Sequence, residues 1–581
     1  MQNPSDAIKA DKFKHQHRFP FFREKVQCPG LTAGAKEISR LLEQLPKRWR
    51  VYAYKHSMDL LWVVFVGGTG TGKSTIYNAL CGRPLSETGV ERPKTFGPIV
   101  YAHRDAPIEA DFPFASMTVG SRSPEDEVFS PQAGTAGELV VLQHASSDLA
   151  HIALVDTPDL DSLEVRNREV VEDLYLLSDV VVFVTSQEKY ADEVPFKFFK
   201  RIYQDGKICF LLLNKAEDSL TAQEVADSFR DQGIDIAQSF FWVLPYLPSQ
   251  PSEKLRENKD FKDFVATFFT DLGRDHAPVV LQNERIRRIN KLKDQTQLLV
   301  GLLGKEREAA KSWLAQLETL FRSVCRDLLE QQKRHFDEES RDYLQEEIRR
   351  LFSKYDVLGK PRRFVSQIVL SPLRLLGLRS QKRRESHKDA LLRIRQKIDL
   401  TPIQAAVEKF NRSVMENLSP SDEQSPLYRM LRNPEMKVSD EEIKAKVWEE
   451  QDRLAVWLEN TFQQMARGIP KSKEWGIYST SILWGALIVS FEAAIGGGIT
   501  FLEAALDSAL APFVTKGAVE LFAYQELQKI ARELAQKYQD GVLSVLRLQK
   551  DRYKDGLQSL MTSQQVIDEL DVLQRSLTEV R

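Results

Sequence analysis

The sequence predicts an α/β domain, a doubly wound and mostly parallel sheet, followed by a long α-helical bundle. Three observations carry this. Apolar, β-branched runs alternate with amphipathic segments between Leu61 and Pro245. A glycine-rich turn, Gly67 to Ser74, joins the first of those runs to a helix. From Gln282 onward the text changes to heptad-like spacing dense in Glu, Lys, Arg and Gln. At 581 residues the chain exceeds what one hydrophobic core supports, so several units are expected. They are an N-terminal helical region over 1–58, the α/β domain over 59–275 and a helical stalk over 276–581.

Bulk composition narrows the partners. Lys plus Arg total 81 against 83 Asp plus Glu, so attraction to a membrane or nucleic acid must come from local patches. Cys28, Cys81, Cys209 and Cys325 form no CxxC pair, which gives neither a zinc site nor a disulfide framework and fits a reducing compartment. The polar, basic start has no apolar run of signal-peptide length, so a cytoplasmic location is expected.

In the first half, Leu61 to Gly68 reads as a buried central strand. Gly67, Gly72, Lys73 and Ser74 then meet the GxxxxGK[ST] pattern between that strand and a helix. A P-loop follows from the physics: glycines let the backbone close on phosphate oxygens, and successive N–H groups of Gly68, Thr69, Gly70, Thr71 and Thr75 are available to them. Lys73 would neutralise the β- and γ-phosphates, and the Ser74 hydroxyl would ligate Mg2+. Further strands are expected at Gly97–Ala102, Glu138–His144, His151–Pro158, Asp179–Ser186, Lys207–Lys215 and Phe240–Pro245. The first two flank a long polar insertion and could instead pair as an antiparallel edge. Asp156 closes a strand at the sheet edge where ligands sit in open α/β sheets, and its carboxylate can hold Mg2+ through water. Asn214, Lys215 and Glu217 end another strand at that edge.

The stretch NKAED, Asn214 to Asp218, resembles the guanine-specificity motif NKxD of translation-factor-like GTPases. A carboxylate there accepts from the guanine N1 and N2 groups, a role with no use for adenine, so GTP is favoured over ATP. Glu217 stands at the usual Asp position and Asp218 follows; either could read the base. Taken together, GKSTxxNAL, ERPKT, DTPD and NKAE resemble the motifs of bacterial dynamin-like and Era-like GTPases, over about Leu61 to Leu247. The resemblance implies a P-loop GTPase fold, a Mg2+ cofactor, hydrolysis stimulated by head-to-head pairing in a homodimer or higher oligomer through the GTPase domain, and a switch threonine that completes the metal shell. That threonine maps onto Thr95, with Thr88 the weaker candidate. Two departures bear on rate. Asp159 replaces the glycine of DxxG and brings a carboxylate near the polyphosphate. Leu160 stands where many small GTPases carry a water-orienting glutamine, so slow or partner-gated hydrolysis is expected.

Two stretches interrupt the helical half. Residues 357–384 carry Lys360, Arg362, Arg363, Arg374, Arg379, Lys382, Arg383 and Arg384 without one acidic residue, interleaved with Val, Ile and Leu and broken by Pro361 and Pro372. Three readings stand: an amphipathic element on anionic lipid, a bundle cap with solvated arginines, or a nucleic-acid patch with only Phe364 to stack. Residues 475–515 are apolar, uncharged from Trp475 to Phe491, and broken at Gly496–Gly498. A hairpin inserted in one leaflet, a full span and burial in the bundle remain open. Expected helix lengths, about 105, 50, 45 and 98 Å at 1.5 Å per residue, would put both stretches at one far tip if the helices are unbroken. The N-terminal helix would pack beside the last one as a hinge, as the resemblance implies.

The expectation is therefore a GTP-hydrolysing protein that couples nucleotide state to an anionic lipid membrane at the inner face, peripherally or through the hairpin, with no specific nucleic acid. A soluble regulatory GTPase acting on a protein or ribosomal partner, its apolar segments buried, is the rival. An ATP-driven DNA-associated machine is a weaker third.

Overall fold

The computed structural model describes residues 25–89, 96–123, 130–217 apart from 163 and 190–191, 222–247 apart from 232, 235 and 237–239, 251–334, 400–468 and 521–579. Thr95, Asp218, the basic segment 357–384 and the apolar segment 475–515 lie outside them. In chain order the elements are α1 (Ala35–His56), β1 (Leu61–Gly67), α2 (Lys73–Cys81), β2 (Ile99–His103), β3 (Thr118–Arg122), β4 (Glu138–His144) and β5 (Ile152–Asp156). Next come α3 (Val165–Leu177), β6 (Val180–Ser186), α4 (Glu193–Asp205), β7 (Ile208–Ala216), α5 (Ala222–Asp231) and β8 (Phe241–Pro245). The remainder is helical: α6 (Pro251–Glu257), α7 (Lys259–Asp271), α8 (Ala277–Arg334), α9 (Thr401–Leu418), α10 (Pro426–Arg432), α11 (Asp440–Gly468), α12 (Leu521–Ser559) and α13 (Gln564–Glu579).

The strands form one eight-stranded sheet in the order β3-β4-β2-β5-β1-β6-β7-β8. Strand β1 is buried along its whole length because helices cover both faces of the sheet. Its odd residues Leu61, Val63 and Phe65 enter one core with Ile76, Phe210 and Phe264, and its even residues Trp62, Val64 and Val66 enter the other with Val171, Leu174 and Phe199. This double burial is why the strand reads as a continuous apolar run. Strands β5, β1, β6, β7 and β8 are mutually parallel. The doubly wound, mostly parallel α/β sheet expected from the sequence is what the chain adopts.

One pairing left open by the sequence is resolved against the antiparallel option. Strands β2 and β4 pair in parallel, Ile99 opposite Val140 through His103 opposite His144, and the antiparallel joint lies between β2 and β5. The insertion after β2 returns the chain before β4 begins, and it contributes β3, which the sequence reading lacks, as an outer parallel partner of β4. Strand β3, Thr-Val-Gly-Ser-Arg, buries none of its residues and so gives no apolar alternation to detect.

The described residues divide into two compact units. One holds the sheet and is drawn from Lys36–Leu302 with Ser563 onward; the other is drawn from Gln27–Ala35 and Leu303–Thr562. The helical unit packs Trp313, Leu317 and Phe321 of α8, Phe410 and Val414 of α9, Leu427 of α10 and Tyr553 and Leu557 of α12 into one core. Its buried polar groups are paired. Trp313 Nε1 donates to Leu418 O at 2.8 Å, Tyr553 Oη to Asn411 Oδ1 at 2.9 Å, and Gln549 bridges Val438 and Met436. The buried Glu306 carboxylate accepts from Leu31 N at 2.9 Å and Thr32 N at 2.7 Å, which staples segment 27–35 into this unit. The expected unbroken final helix is interrupted between Ser559 and Gln564, where Thr562 Oγ1 donates instead to Gln27 O at 2.6 Å. Among the described residues no helix is long and apolar enough to cross a membrane.

Candidate functional site

The geometry begins with glycines that nothing else could replace. A Cβ on Gly67, at the end of β1, would sit 2.2 Å from Val184 O, and one on Gly72 would sit 2.2 Å from Asn214 Nδ2. Gly70 and Gly72 also have φ of 73° and 90°, the left-handed region that side chains resist. This curl delivers the chain into α2 at Lys73 with no side chain capping the helix start, and a helix N-terminus presented by such a loop suits phosphate oxygens. Thr71 Oγ1 donates back to Gly68 O at 2.9 Å and closes the loop on itself.

Oxygen atoms gather at Lys73 and Ser74. Lys73 Nζ lies 3.0 Å from Asp156 Oδ1, hydrogen-bonds Thr157 O and approaches Asp159 Oδ1 at 3.9 Å. Ser74 Oγ donates to Asp156 Oδ2 at 2.7 Å, and Ser86 Oγ donates to the same oxygen at 2.7 Å. Asp156 is fully buried at the C-terminal end of β5, beside β1 in the sheet. Asn78 fixes the approach of Ser86: its side chain accepts from Leu85 N and Ser86 N and donates to Ser86 O. Asp159 lines the same cleft as Gly68, Thr75 and Thr88. Burial pushes its carboxyl above the usual carboxylate range, with Lys73 only partly offsetting.

Asn214 and Lys215, on the last residues of β7, reach the loop directly. Asn214 Nδ2 donates to Thr71 O and Lys215 Nζ to Gly70 O, each at 2.8 Å. Lys215 holds φ 58°, uncommon for a residue with a side chain. Glu217 is exposed, and its N–H donates to Gln187 Oε1 at 2.7 Å. The structure thus brings Lys73, Ser74, Asp156, Asp159, Asn214 and Lys215 onto one loop, and does not bring the Glu217 carboxylate there.

Three participants had escaped the sequence reading. Asp161 accepts from Thr69 N at 2.6 Å and from Thr69 Oγ1 at 2.5 Å, and Lys189 Nζ donates to it at 3.0 Å. Burial raises the Asp161 carboxyl, but these bonds outweigh it and hold the group below its ordinary value. The sequence offered one hint, a second carboxylate two residues after Asp159; Ser86 and Lys189 had no motif at all. The donors suit Mg2+: hydroxyl and carboxylate oxygens of Ser74 and Asp156, hard ligands in a set with room for phosphate oxygens and water. Among the described residues no three His, Cys, Asp or Glu side chains converge as a closed metal cage.

Residues 63–216, from β1 to the end of β7, match the model of the dynamin family. This is a dynamin-like GTPase domain. One curated relative of the chain is an uncharacterized protein in the xynA 3' region of Caldicellulosiruptor sp. (strain Rt8B.4), 27% identical over 204 residues. That match takes in 34% of this chain and 48% of the relative, so it spans about half the relative's length. Two solved chains, both from work on an oligomerised bacterial dynamin pair in the long-range sensing and tethering of membranes, are 14% and 15% identical to this one. They cover 99% and 98% of it, and 98% of their own lengths, with TM-scores of 0.36 and 0.34. Similarity of that order supports no conclusion about this chain. The match to the dynamin-family model over 63–216 does, and it concerns that domain alone.

Proposed function

We propose that this chain binds GTP with Mg2+ at the Gly67–Thr75 loop, hydrolyses it, and couples nucleotide state to association with an anionic membrane. The observation that carries the reading is the convergence of Lys73 Nζ and Ser74 Oγ on the buried Asp156 carboxylate at 3.0 and 2.7 Å. In this scheme Ser74 and Asp156 hold Mg2+, with Thr95 completing the shell, and the metal when bound offsets charge on the β- and γ-phosphates. Lys73 exchanges Thr157 O and the Asp159 carboxylate for phosphate oxygens. The loop N–H groups orient the phosphates, and Asn214 and Lys215 hold the strand end from which Glu217 or Asp218 reads guanine.

Hydrolysis is slow unless a partner completes the site. Leu160 is 5% exposed and has no group to orient water, and the Asp159 carboxylate repels the terminal phosphate when ionised. Pairing of two GTPase domains would supply what one lacks, an inference by analogy with the family. Membrane association rests on the sequence of 357–384 and 475–515, basic–apolar and apolar in a chain whose net charge is only −2. The location is then cytoplasmic, at the inner face of the membrane.

The test has two arms. Fluorescent GTP and ATP analogues are titrated into the intact protein and the Lys73→Ala variant; tight, Mg2+-dependent GTP binding lost in the variant supports the nucleotide reading, and ATP preference overturns it. Flotation with anionic liposomes then separates the membrane reading from the soluble regulatory one. Protein that stays at the bottom with and without a non-hydrolysable GTP analogue belongs to the latter.

A further inference from the structure

The geometry points to a second anion site, for a phosphate-bearing ligand, centred on Arg48 at the edge of the sheet away from the phosphate loop. The nucleotide loop follows the C-terminal end of β1. The cavity in question, of about 210 Å3, lies where the parallel strands β6 and β7 begin, one strand length or about 20 Å away. Arg48 of α1, Tyr175 at the end of α3, Asp205 at the end of α4, Lys207 before β7, and Arg287 and Lys291 of α8 line it. A water takes about 30 Å3, so the space holds several waters or one phosphate-sized group.

Every acidic group at this cavity is already engaged or solvated. Asp205 accepts from Tyr175 Oη at 2.7 Å and sits 3.5 Å from Lys291 Nζ and 3.8 Å from Arg201 Nε. Glu284, 2% exposed, is bonded to Arg287, and Asp294 is exposed to solvent. Arg288 is committed to Asp179 at 2.9 Å and to Leu177 O and Ser178 O. Lys207 donates to Tyr175 O, Ser178 O and Ser178 Oγ.

Arg48 is the exception. Its Nε is buried with no hydrogen-bond partner, and among the described residues no carboxylate pairs with its guanidinium. Burial draws this group below its ordinary value; Asp205 restores only part, and Arg201 adds repulsion. A guanidinium is a planar fork of five donors matched to phosphate, and burying one of those donors without an acceptor is costly. Five bases against three acids line the cavity, so the residual charge is positive. A phosphate dianion supplies what Arg48 lacks and also meets Lys291 and Arg287.

This site does not depend on the GTPase reading, and the experiment keeps the two apart. Inorganic pyrophosphate and glycerol 3-phosphate, standing for a free polyphosphate and a phospholipid headgroup, are titrated by calorimetry into the full chain carrying Lys73→Ala. The expected result is saturable binding of one or both, which names the source, weakened at least tenfold by adding Arg48→Gln and partly restored by Arg48→Lys. Arg287→Gln weakens it too, with urea unfolding run alongside because this side chain also pairs the buried Glu284. Arg48→Gln alone retains GTP-analogue binding. The inference is overturned if neither ligand binds once Lys73 is replaced, or if Arg48→Gln and Arg287→Gln both leave the affinity unchanged.

Discussion

Ser74 Oγ and Asp156 Oδ2 stand 2.7 Å apart, joining the first turn of α2 to the end of β5. This pair presents the two oxygens that would share Mg2+. Ser74→Ala is expected to lower GTP affinity tenfold or more in Mg2+, about 1.4 kcal/mol, and to change little in EDTA. Equal losses under both conditions would show that the hydroxyl serves the loop and not the metal.

Asp159 gives a pH signature. Its folded carboxyl is held above its unfolded value by burial, so ionisation costs stability above the carboxylate range, and the loss is recovered as pH falls through the folded value. Protonation also removes a negative charge beside the terminal phosphate. GTP affinity of the wild type is therefore expected to rise relative to Asp159→Asn as pH falls toward the carboxylate range. A ratio that stays flat across that range would place Asp159 outside the phosphate field.

Asp179 offers a stability test remote from the nucleotide. It is fully buried, and although burial alone would raise its carboxyl, Lys55 and Arg288 hold it ionised below the usual range. Its oxygens meet Lys55 Nζ at 2.5 Å, Trp62 N at 2.8 Å and Arg288 at 2.9 Å. Asp179→Ala strands the buried Lys55 and the largely covered Arg288 and should destabilise the unit by about 3–5 kcal/mol in urea unfolding. Glu193→Ala, which removes an exposed pair with Lys197, should leave the midpoint unchanged.

The membrane reading meets its own test in flotation. Deleting 475–514 is expected to abolish liposome association. Arg362, Arg363, Arg383 and Arg384 changed together to Glu should weaken it on anionic vesicles while basal GTP hydrolysis in solution persists. Vesicle binding that survives the charge reversal removes the basic segment from the account, and Lys73→Ala should lose nucleotide but keep the membrane.

How much of this was legible in the sequence depends on how local each signal is. The run Leu61–Gly68 and the pattern through Ser74 located the loop because strand burial and glycine spacing are written within a few neighbouring residues. Asp156 and Asn214 were legible because each ends an apolar strand at a known edge. Asp161 on Thr69 and Ser86 on Asp156 were not: those contacts join positions 92 and 70 residues apart through the fold, and a lone Ser or Asp in a polar loop has no period. Strand β3 escaped because an exposed edge strand needs no apolar face. The break before Gln564 escaped because Met-Thr-Ser is tolerated in helices; the bond from Thr562 to Gln27, far away in the chain, makes it.

The Gly72–Asn214 approach and the bonds from Asn214 and Lys215 to Thr71 and Gly70 mean that the end of β7 and the glycine loop after β1 are one mechanical piece. On the proposed function, a nucleotide entering there meets a loop and a strand end whose spacing folding has already set. Guanine and phosphates should then contribute to affinity as nearly independent increments, each unaware of whether the other is occupied. A diphosphate should lose only what the terminal phosphate itself contributes, and the fit at the base should be indifferent to hydrolysis.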